Sequence, residues 1–182
     1  TLPRARREAL LRAWGVDGEL PASSYPCLTW ITEAGKAMSQ TFDVTARKPM
    51  VMTPRPVSDR PLWQVGAQAI LECVQEKGGL GALILNTVRD AQAAYSHLAK
   101  QDLGEVSLDL FHARFTAHDR DRIERHVLRE YGKDAPRSGP RILVATQVVE
   151  QSLDLDFDHK VTALAPIDLL IQRAGRLHRH AR

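Results

Sequence analysis

The sequence predicts an α/β domain built on a parallel sheet with helices on both faces, and three features carry that expectation. From Leu62 onward, helix-period and strand-like segments alternate with short connections, the sequence form of a doubly wound sheet. Two short apolar runs, residues 82–85 and 141–145, are continuous rather than alternating, as strands buried on both faces require. Hydrophobic residues make up 43% of the chain, enough for a packed core.

Taken in order, residues 4–14 read as a helix opened by Pro3, with Leu10, Leu11 and Trp14 on one side. Residues 25–31 suit a strand. Residues 33–47 are polar and are expected as loop, and residues 48–53 as an extended segment. Pro49, Pro54, Pro56 and Pro61 punctuate a linker. The expected domain boundary falls near residue 46, because the first piece holds too few elements to close a core.

Leu62, Val65, Ala69, Ile70 and Cys73 form the stripe of a helix that ends at Gly78-Gly79. A buried strand follows. Thr87 is placed to cap the next helix, with Asp90 three residues on and Ala91, Ala94, Tyr95 and Leu98 facing inward. Residues 106–111 are the following strand. Thr116, with Asp119, opens a long helix packed by Ile123, Val127, Leu128 and Tyr131, and residues 132–140 turn into the strand at 141–145. Beyond Thr146, residues 161–164 suggest a neighbouring strand. Pro166 opens a last helix with Asp168 in its first turn, and Gly175 is placed to end it.

Lys and Arg total 25 against 22 Asp and Glu, a net charge of +3 that does not by itself imply nucleic-acid binding. The clustering is more telling. Arg173, Arg176, Arg179 and Arg182, with His178 and His180 between them and no acid, suggest a phosphate site at the lip of the sheet. A solvated basic end is the alternative. Cys27 and Cys73 show neither disulfide nor zinc spacing, which fits a reducing cytoplasm. No apolar run approaches the roughly 18 residues of a membrane span, and no signal peptide opens the chain. A first residue of Thr rather than Met suggests a piece cut from something longer. No metal site is expected: His118-Asp119 sits in a helix first turn where Asp belongs anyway, and no HExxH-type spacing occurs.

Gln172-x-x-Gly175-Arg176-x-x-Arg179 resembles motif VI of superfamily 2 helicases, and Thr146-Gln-Val-Val-Glu-Gln-Ser-Leu-Asp154 resembles motif V, one strand upstream. Glu150-Gln151-Ser152 departs from the Arg-Gly pair of the wider superfamily. The wording QVVEQSLDLDFD followed by QRAGRLHRH is similar to the helicase part of the CRISPR-associated helicase–nuclease of type I interference systems. Asn86-Thr87 resembles motif IV. Phe111-His112-Ala113-Arg114-Phe115 resembles the family's His-Ser-Arg-Phe segment, with Ala113 in place of Ser.

The resemblance implies a RecA-like fold. Residues 46–182 would be the second RecA-like domain, and residues 1–45 the tail of the first, with Thr1 the last residue of its motif III. It implies arginine fingers at Arg176 and Arg179, a ribose contact at Asp154, and Gln172 beside the γ-phosphate, with Gln151 and Arg173 also on the nucleotide side. Asn86, Thr87, His112, Arg114 and Thr146 would grip single-stranded DNA. The implied cofactor is ATP, with magnesium held by the first RecA-like domain. The implied partners are that domain, an HD nuclease domain and the CRISPR surveillance complex, and the implied action is 3′→5′ translocation. Because no GxxxxGK[ST] loop and no DExH-like tetrad occur, the chain alone is not expected to hydrolyse ATP. Two alternatives stay open: the same half of another superfamily 2 DNA or RNA helicase, and a RecA-like nucleic-acid-binding module without catalysis.

Overall fold

The computed structural model describes residues 3–16, 20, 24, 26–43, 51–57, 59–150 and 153–177. The chain divides into two compact units, Thr1–Val51 and Met52–Arg182. The boundary expected near residue 46 falls within residues 44–50, outside the described ones.

The first unit holds α1 (Arg4–Ala13) and an antiparallel pair, β1 (Cys27–Ile31) and β2 (Ala37–Thr41), in register from Cys27↔Thr41 to Ile31↔Ala37. The turn between them is closed by the Thr32 N–H donating to the Lys36 carbonyl at 3.0 Å, with Gly35 at φ +73°, a conformation that costs glycine nothing. The second strand corrects the loop expected over residues 33–47. Ala-Met-Ser-Gln-Thr carries little β-propensity, and pairing with β1 overrides it. Leu11, Val16, Leu20 and Ala37 make a small core with Ile31 packed against it.

In the second unit, α2 (Leu62–Lys77), β3 (Leu80–Ile84), α3 (Val88–Leu98), β4 (Ser107–Phe111), α4 (Ala117–Tyr131), β5 (Arg141–Ala145), β6 (His159–Thr162) and α5 (Ile167–Ala174) follow one another. The four strands are all parallel, in the order β4-β5-β3-β6. Burial explains that order. All five residues of β3 and four of the five in β5 are buried, so these continuous apolar runs take the centre. The edge strands carry polar residues such as Asp109 and Lys160. Asp109 is satisfied by Tyr131, whose hydroxyl donates at 2.8 Å, and by His126 Nε2 at 2.9 Å.

One face packs Leu83, Ile142, Val144 and Val161 against α2 and α3; the other packs Ile84, Leu143, Ala145 and Phe111 against α4 and Phe157. Helix α2 approaches the first face closely. A Cβ on Gly66 would lie 2.9 Å from Leu83 Cδ1, and one on Gly81 would lie 2.6 Å from Val74 Cγ2. Lys160 and Thr162, which alternate with Val161 along β6, reach Arg173 of α5 on the opposite side. Helices therefore cover both faces.

The Thr87 and Thr116 caps form as the sequence implies, accepting from the N–H groups of Asp90 and Asp119 at 3.0 and 3.3 Å. Strands β3 and β6 start two residues earlier than expected, because ladder pairing extends through Leu80-Gly81 and His159-Lys160. A 3₁₀ turn over Gln147–Glu150, not foreseen from the sequence, follows β5.

Candidate nucleotide and nucleic-acid site

Because the strands are parallel, whatever follows each one collects at one rim of the sheet. Asn86 and Thr87 follow β3 and are exposed; the Asn86 amide donates to the Leu164 carbonyl at 2.8 Å. Thr87 spends its hydroxyl on the α3 cap and on Asp90. His112 follows β4 but is only 2% exposed, stacked on Phe115 with ring centroids 4.1 Å apart. Its Nδ1 accepts from the Arg114 N–H at 3.2 Å, and its Nε2 faces the Gln92 amide at 3.3 Å. Burial holds its pKa below the ordinary histidine value, and the Arg114 charge adds to the effect, so the ring is neutral at physiological pH. The Arg114 side chain is exposed. Thr146 follows β5 and is 3% exposed, its N–H donating to the Phe111 carbonyl at 3.3 Å. The sheet thus gathers all five expected strand-contact residues, with Asn86, Thr87 and Arg114 outermost and His112 and Thr146 behind them.

The expected nucleotide-side residues are arranged differently. Arg173 is buried, 1% exposed, its Nε donating to Glu150 Oε1 at 2.6 Å. Its Nη1 donates to Thr162 Oγ1 at 2.6 Å and to the Ala163 carbonyl at 3.1 Å, while Nη2 finds no acceptor among the described residues. Arg176, 8% exposed, donates to the carbonyls of Leu153 and, at 2.8 Å, of Glu150. Gln172 donates to that same Glu150 carbonyl at 3.3 Å. Three side chains, two from the last turn of α5 and one from just beyond it, therefore end on one residue.

Lys160 donates to the Arg173 carbonyl and lies 5.3 Å from the centre of the Phe157 ring. Burial, with Arg176 close by, pushes its pKa down to about 7.

Asp154 is exposed at the margin of an open groove of about 440 Å³ shared with Leu128, Lys133 and Pro136. A bridge between Gly132 and Leu155 places it against the carboxyl end of α4. That helix runs back between two parallel strands, so Asp154 sits at the amino rim, opposite Asn86 and Thr146. The backbone of Arg176 lies on the same side, its carbonyl accepting from Phe157 N–H at 3.2 Å just ahead of β6. Gln151, Arg179, His178, His180 and Arg182 lie outside the described residues.

Thr162 and Lys160 were not singled out from the sequence, and Glu150 was noted there only as part of the departure from the Arg-Gly pair, with no role. Glu150 left a slight trace there, an acid directly after the apolar pair Val148-Val149. A buried acid of that kind needs a cation, and Arg173 supplies it.

An all-parallel α/β sheet with polar residues at its carboxyl rim and an arginine-bearing helix beside its edge strand defines a RecA-like domain. Among the described residues, no helix is long and apolar enough to cross a membrane. Residues 77–182 match the family model described as CRISPR-associated nuclease/helicase Cas3, C-terminal.

The whole chain is 41% identical to part of the CRISPR-associated endonuclease/helicase Cas3 of Escherichia coli (strain K12), of which it spans 21%. Over 99% of its length it is 34% identical to 20% of the CRISPR-associated nuclease/helicase Cas3 of Streptococcus thermophilus. The crystal structure of T. fusca Cas3-ATP superposes with a TM-score of 0.70 at 36% identity, over 88% of this chain and 20% of that one. A chain of a CRISPR RNA-guided surveillance complex, pre-nicking, gives 0.73 at 32% identity, over 99% of this chain and 24% of that one. The chain belongs to the Cas3 family, and it spans about a fifth of the length of these relatives.

Proposed function

We propose that this chain is the second RecA-like half of an ATP-driven translocase on single-stranded DNA that acts in CRISPR interference, with residues ahead of about 46 belonging to the first half. The observation that carries the reading is the division of the domain into two rims. The strand-contact candidates Asn86, Thr87 and Arg114 stand at the carboxyl rim, Asp154 and the backbone of Arg176 at the amino rim, and the Gln147–Glu150 turn leads from the carboxyl rim to the Arg173 and Arg176 side chains. A motor needs such separation: one ligand at each end of a body stiff enough to pass on a displacement.

The donor set fits a polyphosphate, because Arg176, just past the end of α5, carries a guanidinium whose acceptors here are two uncharged backbone carbonyls rather than an acid. ATP, when bound, supplies the phosphoanhydride bond whose hydrolysis drives movement. In this arrangement Arg176 holds the carbonyls of Glu150 and Leu153. To act as an arginine finger it exchanges them for phosphate oxygens, which are charged and therefore stronger acceptors. Arg173 instead keeps Glu150, so its task is to hold the helix rather than the nucleotide. Gln172 and Asp154 complete the nucleotide side, together with Gln151 and Arg179. Magnesium and the phosphate-binding loop belong to the first RecA-like domain, and an HD nuclease domain and a surveillance complex are the further partners.

The test is ATP turnover by the full-length protein with and without single-stranded DNA. The expected result is a DNA-stimulated rate on the order of 1 per second or more, with no turnover from this chain alone. Equal rates with and without DNA would contradict the reading.

A further inference from the structure

We propose that Glu150 is a positioning residue that locks the arginine-bearing helix to the strand-contact turn, so that a shift at either end is passed to the other. This role presupposes the motor reading and assigns within it a residue for which the family resemblance supplies no task.

Glu150 is the point where two elements far apart in sequence are fastened. Its carboxylate takes Arg173 Nε at 2.6 Å, and its carbonyl takes Arg176 Nη2 at 2.8 Å and Gln172 Nε2 at 3.3 Å. On its other side it closes the short 3₁₀ turn that begins after Thr146, whose carbonyl accepts from Val149 N–H at 3.4 Å. The Gln147 side chain of that turn donates to the Asn86 carbonyl at 3.2 Å. Four residues therefore join the carboxyl rim to α5. Arg173 extends the fastening to the end of β6 through Thr162 and Ala163.

Stability alone does not account for a charged pair here. Desolvating both ions is expensive, and an apolar pair of similar volume is commonly as stable or more so. What a carboxylate and a guanidinium add is direction: their hydrogen bonds fix orientation as well as distance. With Arg173 held by Glu150, Thr162 and Ala163, α5 has little freedom to slide. Any movement of Arg176 away from the Glu150 carbonyl then acts on a turn that leads straight to Thr146.

The experiment compares Glu150→Gln, and a double variant carrying Glu150→Met and Arg173→Met, with the unchanged full-length protein. Three quantities are read: the ratio of DNA-stimulated to DNA-free ATP turnover, nucleotide-free affinity for single-stranded DNA, and melting temperature. The turnover ratio should fall by about tenfold in both variants, within the usual range of coupling between two sites. DNA affinity should hold, and the double variant should melt close to the parent because its apolar pair refills the space. A double variant that melts like the parent and keeps the parent's ratio overturns the proposal, since the pair would then be packing only. If Glu150→Gln fails to fold, the double variant decides by itself. A parent whose turnover ignores DNA overturns the motor reading, and this role with it.

Discussion

Arg173 Nε and Glu150 Oε1 meet at 2.6 Å, with 1% and 4% of the two side chains exposed. A charged pair this deep gains little net stability over an apolar one, yet breaking it is costly because the surviving ion stays buried. Arg173→Met should therefore destabilise the chain by about 3–5 kcal/mol. Urea unfolding measures this, and a loss below about 1 kcal/mol, the size of an exposed pair, would show that Glu150 finds water or another partner.

Close approach of α2 to the sheet gives a second expectation. Gly81→Ala puts a methyl group 2.6 Å from Val74 Cγ2 and 3.0 Å from Ile70 Cδ1, in a core with no slack. Overpacking of that kind costs about 1–3 kcal/mol. A neutral result in the same unfolding assay would mean that α2 can retreat from β3.

Lys160 sets a pH dependence. Its folded pKa is lowered to about 7 from an ordinary 10.5, so between those values the unfolded chain binds more protons than the folded one. Its contribution to stability must then rise with pH across that window and be flat below pH of about 6. Melting curves of the parent and of Lys160→Met, taken from pH 6 to 9, isolate this contribution. Their difference should shift in the parent's favour as pH increases, and a constant difference would place the ammonium in contact with water.

At the carboxyl rim, Arg114 is the exposed cation among the strand-contact candidates. If it meets a phosphate, Arg114→Ala in the full-length protein should weaken single-stranded DNA binding for all sequences alike. The slope of log affinity against log salt should also become shallower by about 0.7. An unchanged slope would remove Arg114 from the interface.

Much of this was readable in the sequence, and the reasons are local. Thr87 and Thr116 each precede an Asp by three residues, and both became caps because a cap depends only on its own turn. The run at 141–145 became one of the two central strands because continuous β-branched and apolar residues fit a strand covered on both faces. Placing Asn86, His112 and Thr146 at one rim followed from the strands being parallel. What sequence could not supply is the set of bonds made by tertiary crossing. Glu150 and Arg173 are 23 residues apart and pair because α5 lies across the turn after β5. Lys160 drew no expectation from the sequence, because only Phe157 and α5, brought in by the fold, cover it. Strand β2 was missed because its inward side chain is a single small residue, Ala37.

The central claim is that Arg176 serves the nucleotide and not the DNA. Its most direct test pairs two assays on Arg176→Ala in the full-length protein, DNA-stimulated ATP turnover and nucleotide-free binding of single-stranded DNA, with a melting curve to confirm folding. Turnover should drop by about three orders of magnitude, the low end for an arginine finger, and DNA affinity should stay within about twofold, less than the worth of one hydrogen bond. A folded variant that keeps its turnover and loses its DNA would contradict the account and make this arginine part of a DNA patch.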